Sequence, residues 1–211
     1  MVQTSQSLPV GLGKTSSTKA PSKSSSSFIS KQIRRIVTCF SGDDMDEPTA
    51  NPRSVLFVCL GNICRSPIAE AVFRQVLSER GLLDKWTVDS AATADYHVGE
   101  PSDNRAEACL RRHGISSNHI VRQLTLEDFD NFAYVIGMDH ENVKNIKKIA
   151  PKKSPCRVEL LGQYDPKNEL LIEDPYYGGE AEFDNVYDQC LRCCRVFLDS
   201  AEKELNTKKK H

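Results

Sequence analysis

The chain contains 211 residues, of which 39% are hydrophobic and 27% charged, and this composition fits one domain with appended segments. Residues 1–42 and 208–210 together hold nine lysines and arginines and no acidic residue; without these nine charges the formal net charge of −1 becomes −10 for residues 43–207. Such an acidic body disfavours nucleic acid as a partner. No apolar run approaches the roughly 20 residues that cross a membrane, so no membrane span is predicted.

The eight cysteines are irregularly spaced, and no secretory segment is recognisable near the N-terminus. In a chain of this size, such spacing favours a reducing compartment with buried or reactive thiols over a disulfide framework. The sequence therefore predicts a cytoplasmic location.

Residues 1–52 are predicted to be a disordered, basic and Ser-rich extension that ends in an acidic, Pro-containing linker. Residues 28–40 place several apolar side chains on one helical face among basic ones. Two interpretations remain open: a transiently helical patch within a disordered tail, or a mitochondrial presequence or membrane-surface segment. The apolar residues of this face are Ile29, Ile33, Ile36, Val37 and Phe40.

The next segment combines a strand, a tight loop and a helix start. The apolar, β-branched run from Val55 to Val58 predicts a buried strand. Gly61 and Asn62 are the residue types that best tolerate left-handed backbone. Ser66-Pro67 then predicts a helix N-cap followed by a proline at the first helical position. This arrangement is typical of an anion cradle, in which backbone N–H groups and the helix dipole attract negative charge.

Cys59 opens this loop and Arg65 closes it, with five residues between them. A helix N-terminus and a nearby arginine favour the thiolate form of a cysteine, and a planar guanidinium can bind two oxygens of a tetrahedral oxyanion. The pattern predicts that Cys59 attacks phosphorus while Arg65 and loop N–H groups hold the equatorial oxygens. The alternative is a buried cysteine and a surface arginine that meet by chance; the strand before them and the helix after them favour the chemical interpretation. The predicted phosphate-binding residues are Leu60, Gly61, Asn62, Ile63, Cys64, Arg65 and Ser66.

Strand and helix patterns alternate through the rest of the chain. They predict an α/β fold, an open and doubly wound four-stranded parallel sheet with helices on both faces and the phosphate-binding loop after strand 1. In such sheets ligands bind beyond the carboxyl ends of the strands, which is where Cys59 lies. The predicted helices span about 67–80, 103–113 and 182–205; a short helix opens at 125–128, and another, capped by Asp139, runs towards Ala150. The later strands span 86–90, 134–138 and 157–161.

Two stretches, Val55–Arg74 and Glu173–Gly178, resemble the low-molecular-weight protein tyrosine phosphatases. The likeness covers most of the chain, from about Arg53 to about Glu202. It implies hydrolysis of phosphotyrosine in proteins or peptides, and of small aryl phosphates, through a cysteinyl-phosphate intermediate and without a cofactor. We expect a monomer. The expected organisation is an extension at 1–52, a phosphatase domain at 53–204 and a basic tail at 205–211.

Asp174 precedes Pro175, which favours an extended loop conformation, and residue chemistry alone leaves an ordinary Asp-Pro turn open. The resemblance implies that Asp174 first protonates the tyrosine oxygen and later activates water. It also implies an aromatic wall formed by Tyr96, Tyr176 and Tyr177. Ring faces of this kind pack against a substrate phenyl ring, and a deep pocket between them would favour phosphotyrosine over the shorter phosphoserine.

By the same resemblance, Asn62 holds a strained loop conformation, Ser66 bonds the nucleophilic sulfur and His119 bonds the loop from outside. Cys64 is either a small buried residue in a tight turn or, as the resemblance implies, a redox partner that traps oxidised Cys59 as a reversible disulfide. No metal site is predicted, because the clustered cysteines lack a further partner at zinc-like spacing. They are interpreted as core residues: Cys190, Cys193 and Cys194.

Three alternative functions remain open. An arsenate reductase on the same fold would use similar loop chemistry but needs further redox cysteines, and none beyond Cys64 is convincing. A non-catalytic phosphotyrosine-binding module would not need Cys59, Arg65 and Asp174 together. In the third alternative the basic extension is the functional part, as a tether to a membrane or partner, and the domain is its passenger.

Overall fold

A computed structural model, which describes residues 50–208, contains a sheet of four parallel strands in the order β2-β1-β3-β4. Its strands are β1 (Asn51–Cys59), β2 (Thr87–Ala92), β3 (Phe132–Gly137) and β4 (Arg157–Leu160). The predicted N-terminal extension up to residue 49, and residues 209–211 of the predicted tail, lie outside the described residues.

In the described part of the chain, five α-helices connect and cover the strands, together with single turns of 3₁₀ helix at Leu83–Lys85, Leu161–Tyr164 and Pro175–Tyr177. The crossovers are helical because parallel strands cannot be joined by a tight turn. The helices are α1 (Arg65–Glu79), α2 (Asn104–Arg112), α3 (Asp128–Asn131), α4 (His140–Ile149) and α5 (Glu180–Lys208).

The side chains of β1 alternate between two cores, because successive residues of a strand point to opposite faces of the sheet. Val55 and Phe57 belong to the larger core, which is shared with α1, α2 and α5. Leu56 and Val58 belong to a smaller core that includes Ile146 of α4. Helices therefore cover both faces, and the predicted open, doubly wound parallel sheet is confirmed.

Helix α5 closes the larger core. Phe197 packs against the rings of Phe73 and Tyr134, with centroids 5.4 and 5.1 Å apart. Burying an aromatic side chain of this size stabilises a fold by about 1.5–3 kcal/mol. The three clustered cysteines of this helix are fully buried on its inner face, in agreement with their interpretation as core residues: Cys190, Cys193 and Cys194.

Several boundaries differ from the prediction. Helix α1 begins at Arg65 with Cys64 as its N-cap residue, so the prediction that Ser66 is the N-cap is wrong. The Ser66 hydroxyl bonds the Cys59 sulfur instead, as described below. Helix α5 begins at Glu180 and continues to Lys208, further than predicted at both ends. None of the helices within residues 50–208 is both long enough and apolar enough to cross a bilayer.

Strand β1 lies inside the sheet, hydrogen-bonded to β2 on one side and β3 on the other. The chain leaves β1 towards β2 and then crosses to β3 on the opposite side, so the strand order reverses at β1. A crevice forms at such a switch point, beyond the carboxyl ends of the strands. The loop that follows Cys59 occupies this position.

Candidate active site

The loop between β1 and α1 wraps around the Cys59 sulfur. The Asn62 N–H donates to Sγ over 3.2 Å. Asn62 has a left-handed backbone, with φ of 55°, a conformation that asparagine tolerates better than most residues. The loop then enters α1 directly, and the Ile68 N–H donates to the Cys64 carbonyl. The sulfur thus lies at the N-terminus of a helix, where unpaired N–H groups and the helix dipole favour an anion.

Ser66 provides a second contact to the sulfur, with Oγ 3.0 Å from Sγ. The side-chain amide of Asn62 donates to the same Oγ over 2.9 Å. Because Oγ accepts that hydrogen bond, the hydroxyl proton of Ser66 is free to point at the sulfur. Asn62 and Ser66 thus both contact the nucleophilic sulfur, and their predicted role in phosphate binding stays a prediction.

A buried network holds Asn62 from behind. Its Oδ1 accepts a hydrogen bond from His119 Nε2 over 2.9 Å, and its amide also donates to Ser90 Oγ over 2.9 Å. Ser90 in turn donates to Glu70 Oε2 over 2.7 Å, and His119 Nδ1 lies 3.4 Å from the same oxygen. Although burial alone would raise the pKa of Glu70, the hydrogen bonds from His119 and Ser90 lower it below its ordinary value. The predicted support residue His119 therefore does contact the loop.

Arg65 is held between two carboxylates. Its Nη1 donates to Asp139 Oδ2 over 2.6 Å and to the Ile172 carbonyl over 3.3 Å, while Nη2 donates to Asp174 Oδ2 over 2.7 Å. The residue is 4% exposed. Burial favours the neutral form, but the charges of Cys59, Asp174 and Asp139 outweigh it and raise the pKa of Arg65. The guanidinium is thus a fixed positive charge beside the nucleophile.

Cys59, Arg65 and Asp174 line one cavity of about 300 Å³. The three predicted aromatic residues stand around it: Tyr177 is 97% exposed, Tyr96 71% and Tyr176 41%. A negative group could therefore bind at the bottom, against loop N–H groups and Arg65, with an apolar ring between the tyrosines. Such an arrangement suits a phosphate ester of an aromatic alcohol.

Comparisons with known proteins agree with this geometry. A model of the family "Low molecular weight phosphotyrosine protein phosphatase" matches residues 54–211. The human protein of that name is 52% identical over 151 residues, which cover 71% of this chain and 96% of the human one. The chain belongs to this phosphatase family.

Solved structures of the family share the fold. The crystal structure of Primo-1 superposes with a TM-score of 0.67 at 44% identity and covers 70% of this chain and 97% of its own. The structure of a Drosophila arginine phosphatase gives a TM-score of 0.66 at 38% identity, with coverage of 69% and 96%.

Other phosphatase residues at the site were missed in the sequence, or were assigned only structural roles. Asp139 was predicted only as a helix cap; it does accept a hydrogen bond from the Asn142 N–H, but its other oxygen binds Arg65. It could have been found, because it follows β3 at the edge of the sheet where Cys59 ends β1. No sequence pattern pointed to Glu70 and Ser90 as site residues, since their partners lie far away in sequence. His97 also lines the cavity, close to Gly61.

Cys64 is buried within the phosphate-binding loop. Burial, together with the negative charges of Asp103, Cys59 and Asp174, raises its pKa far above the usual range of a thiol. The neutral thiol is therefore the favoured form of Cys64 at ordinary pH. Its predicted role as a redox partner of Cys59 stays a prediction.

Within residues 50–208, one group of side chains is close enough to hold a metal ion: Cys109, His113 and Asp184. Arg112 donates to Asp184 Oδ1 over 2.7 Å, and the Cys109 thiol lies 3.3 Å from the same atom. His113 stacks on the Tyr187 ring with centroids 3.6 Å apart. Because a guanidinium already binds the carboxylate and would repel a cation, we interpret this group as a packing and hydrogen-bonding cluster of the phosphatase.

Proposed function

We propose that this protein hydrolyses phosphotyrosine in proteins or peptides through a cysteinyl-phosphate intermediate. The observation that carries the proposal is the convergence of Cys59, Arg65 and Asp174 on one cavity with aromatic walls. Asp174 reaches this cavity from a distant part of the chain and pairs with Arg65 directly. No cofactor is needed for the steps that follow.

In the first step the Cys59 thiolate attacks phosphorus, and the sulfur–phosphorus bond forms as the bond to the tyrosine oxygen breaks. Protonated Asp174 donates its proton to that oxygen, so tyrosine leaves as a neutral phenol. Arg65 and the loop N–H groups hold the equatorial oxygens, whose charge they stabilise. The phosphate oxygens compete with Asp174 for Arg65 Nη2, which frees the carboxyl group to face the leaving oxygen.

In the second step water attacks phosphorus and the sulfur–phosphorus bond breaks. The Asp174 carboxylate takes a proton from the water, and inorganic phosphate is released. The Ser66 hydroxyl stabilises the sulfur as its negative charge returns, because a hydrogen bond to an ionised acceptor is stronger than one to a neutral group. Each turnover restores the thiolate and the protonated acid.

The test is aryl-phosphate and phosphotyrosine-peptide hydrolysis by the wild type beside Cys59→Ser and Asp174→Asn. Cys59→Ser should abolish turnover while vanadate still binds. Asp174→Asn should lower kcat/KM by about 10²–10⁴-fold for phenyl phosphate, and less for dinitrophenyl phosphate, whose leaving group needs no proton. Measurable turnover by Cys59→Ser would refute the mechanism, and so would an Asp174→Asn defect that is equal for both esters.

Phosphoarginine is a second candidate substrate, because a solved relative of similar fold is a Drosophila arginine phosphatase. A planar guanidino group could also lie between Tyr96 and Tyr176. We rank phosphotyrosine first, since the curated relatives are phosphotyrosine phosphatases. Comparison of kcat/KM for the two free phosphoamino acids decides the order. Arsenate-dependent consumption of thiols would instead favour a reductase.

We also propose a monomer in the cytoplasm. The cysteine chemistry supports the location: the seven cysteines within residues 50–208 are free thiols, as expected in a reducing compartment. The basic extension could add contact with an anionic membrane surface or direct the protein to mitochondria. Imaging of the full chain and of a variant lacking residues 1–49 separates these locations. A mitochondrial signal that the full chain gives and the variant does not would overturn the cytoplasmic assignment.

A further inference from the structure

The loop that carries Asp174, residues 173–179, has little structure of its own. It contains one 3₁₀ turn at Pro175–Tyr177, and Asp174 Oδ1 accepts a hydrogen bond from the Tyr176 N–H over 3.2 Å. The Gly178 N–H donates to the Pro175 carbonyl over 2.9 Å. Most of its side chains are exposed, with Pro175 the exception. Contacts from elsewhere must therefore fix the position of the acid.

Arg105, in the first turn of α2, supplies such contacts. Its Nη1 donates to the carbonyls of both Tyr176 and Gly178, each over 3.0 Å. Its guanidinium also lies over the Phe183 ring, 4.9 Å from the centroid. Among the side chains described, only Arg105 donates a hydrogen bond to a carbonyl of residues 173–179. One guanidinium thus holds the part of the loop that follows Asp174 in the chain.

Asp103 fixes the orientation of this guanidinium. Its two carboxylate oxygens accept from Arg105 Nε and Nη2 over 3.0 and 2.7 Å, which leaves Nη1 directed at the loop. The backbone N–H of Asp103 donates to the Ile63 carbonyl over 2.9 Å. Ile63 belongs to the phosphate-binding loop. A short path therefore links the loop of the nucleophile to the loop of the acid through the N-terminus of α2.

We propose that Arg105 is a positioning residue that sets the Asp174 carboxyl over the leaving oxygen of the ester, with Asp103 as its anchor. This inference rests on the proposed function. Displacing an acid by about 1 Å can cost up to 10²-fold in rate, because proton transfer requires close contact in the transition state. The loss should fall on esters whose leaving group must be protonated and spare those whose leaving group is stable as an anion.

The experiment compares kcat/KM for phenyl phosphate and for 2,4-dinitrophenyl phosphate in Arg105→Ala, Arg105→Lys and Asp174→Asn. Lysine cannot reach both carbonyls while binding both oxygens of Asp103, so it should restore function only in part. We expect Arg105→Ala to lose roughly 10- to 100-fold on phenyl phosphate and under about 3-fold on the dinitrophenyl ester. A purely structural loss would lower both values by the same factor.

Arg112→Ala is the matched control, because Arg112 lies in the same helix and pairs with Asp184 and Glu180, away from the cavity. It should leave the ratio of the two kcat/KM values unchanged. Suppose that Arg105→Ala and Arg105→Lys lose equally on both esters while Asp174→Asn shows a strong leaving-group effect. That result would overturn the positioning role of Arg105 but leave Asp174 as the acid. If Asp174→Asn itself shows no leaving-group effect, the proposed acid is wrong and the positioning role falls with it.

Discussion

The two loops that meet at the cavity are built in opposite ways. The phosphate-binding loop has Asn62 and Ser66 fully buried, and each makes at least two hydrogen bonds to other buried groups. The loop of Asp174 is exposed, with Tyr177 97% accessible to solvent, and its side-chain hydrogen bonds from outside come from Arg65, Arg105 and Glu182. Both loops contribute to one reaction.

This difference matches the tasks of the two loops. Stabilising charge on a transferred phosphoryl group requires donors that are already in place, and buried, fully bonded groups stay in place. Recognition of a substrate side chain requires a surface that the substrate can reach, so the aromatic side chains must remain exposed. Substitutions in the first loop should therefore change stability and kcat together, whereas those at the rim should change KM.

The largest effect is expected from Asn62→Ala. The variant loses asparagine's tolerance of left-handed backbone, worth about 1–2 kcal/mol, and leaves buried partners unpaired at about 1–3 kcal/mol. The free energy of unfolding should fall by about 3 kcal/mol in urea titrations, and kcat by more than roughly 100-fold.

Asn168→Ala is its matched control, because Asn168 has a similar φ of 61° but is exposed. It should lose only about 1 kcal/mol of stability and no activity. Equal effects of the two substitutions would mean that the buried hydrogen-bond network around Asn62 contributes nothing to stability or activity.

Ser66→Ala removes one hydrogen bond to a charged sulfur, worth about 1.5–3 kcal/mol. We expect kcat to fall roughly 10- to 100-fold, with a pre-steady-state burst as the cysteinyl-phosphate accumulates. Ser102 is a buried serine whose hydroxyl has no hydrogen-bond partner among residues 50–208, so Ser102→Ala should leave the kinetics unchanged. A Ser66→Ala enzyme with wild-type kcat would show that the hydroxyl does not assist the departing sulfur.

Tyr96→Ala probes the rim. Packing of one aromatic ring against another contributes about 0.5–1.5 kcal/mol, so KM for a phosphotyrosine peptide should rise by roughly 2- to 10-fold with kcat unchanged. Tyr96→Phe should restore the wild-type value. Leu126→Ala, which removes an exposed apolar side chain away from the cavity, serves as the control. A fall in kcat without a change in KM would place Tyr96 in the chemistry and not in recognition.

The smallest effect concerns the pH dependence of stability. Because hydrogen bonds in the folded state lower the pKa of Glu70, its stabilisation is present above the ordinary glutamate pKa of about 4.3. It is lost as the pH falls through the lower pKa of the folded state. Glu70→Gln should therefore be less stable than the wild type by about 1 kcal/mol at pH 7, with the difference shrinking below about pH 4.5.

Glu141→Gln, at an exposed glutamate, should follow the wild type throughout the titration. If the stability difference between Glu70→Gln and the wild type stayed constant from pH 7 to pH 3, it would contradict the lowered pKa of Glu70 in the folded state.

The sheet and the loop of Cys59 were predictable because short-range patterns carry them: continuous apolar runs, an alternation of strand and helix patterns, a glycine-asparagine break and a fixed spacing from cysteine to arginine. Asp174 was not predictable from residue chemistry, since Asp-Pro is common in turns, and only the family resemblance identified it. Arg105 could not be found at all, because its partners at Tyr176 and Gly178 lie about 70 residues away in a loop without periodicity. For Ser66, local pattern and resemblance disagreed: a serine before a proline predicted an N-cap, which is wrong, whereas the resemblance implied the contact with the Cys59 sulfur that the structure shows.

The ion pair between Arg65 and Asp139 has a consequence for the cell. A guanidinium fixed in advance for a tetrahedral dianion binds the released inorganic ion by the same contacts that bind the ester. We therefore expect product inhibition, in which the cellular phosphate concentration sets the fraction of enzyme available to its substrates.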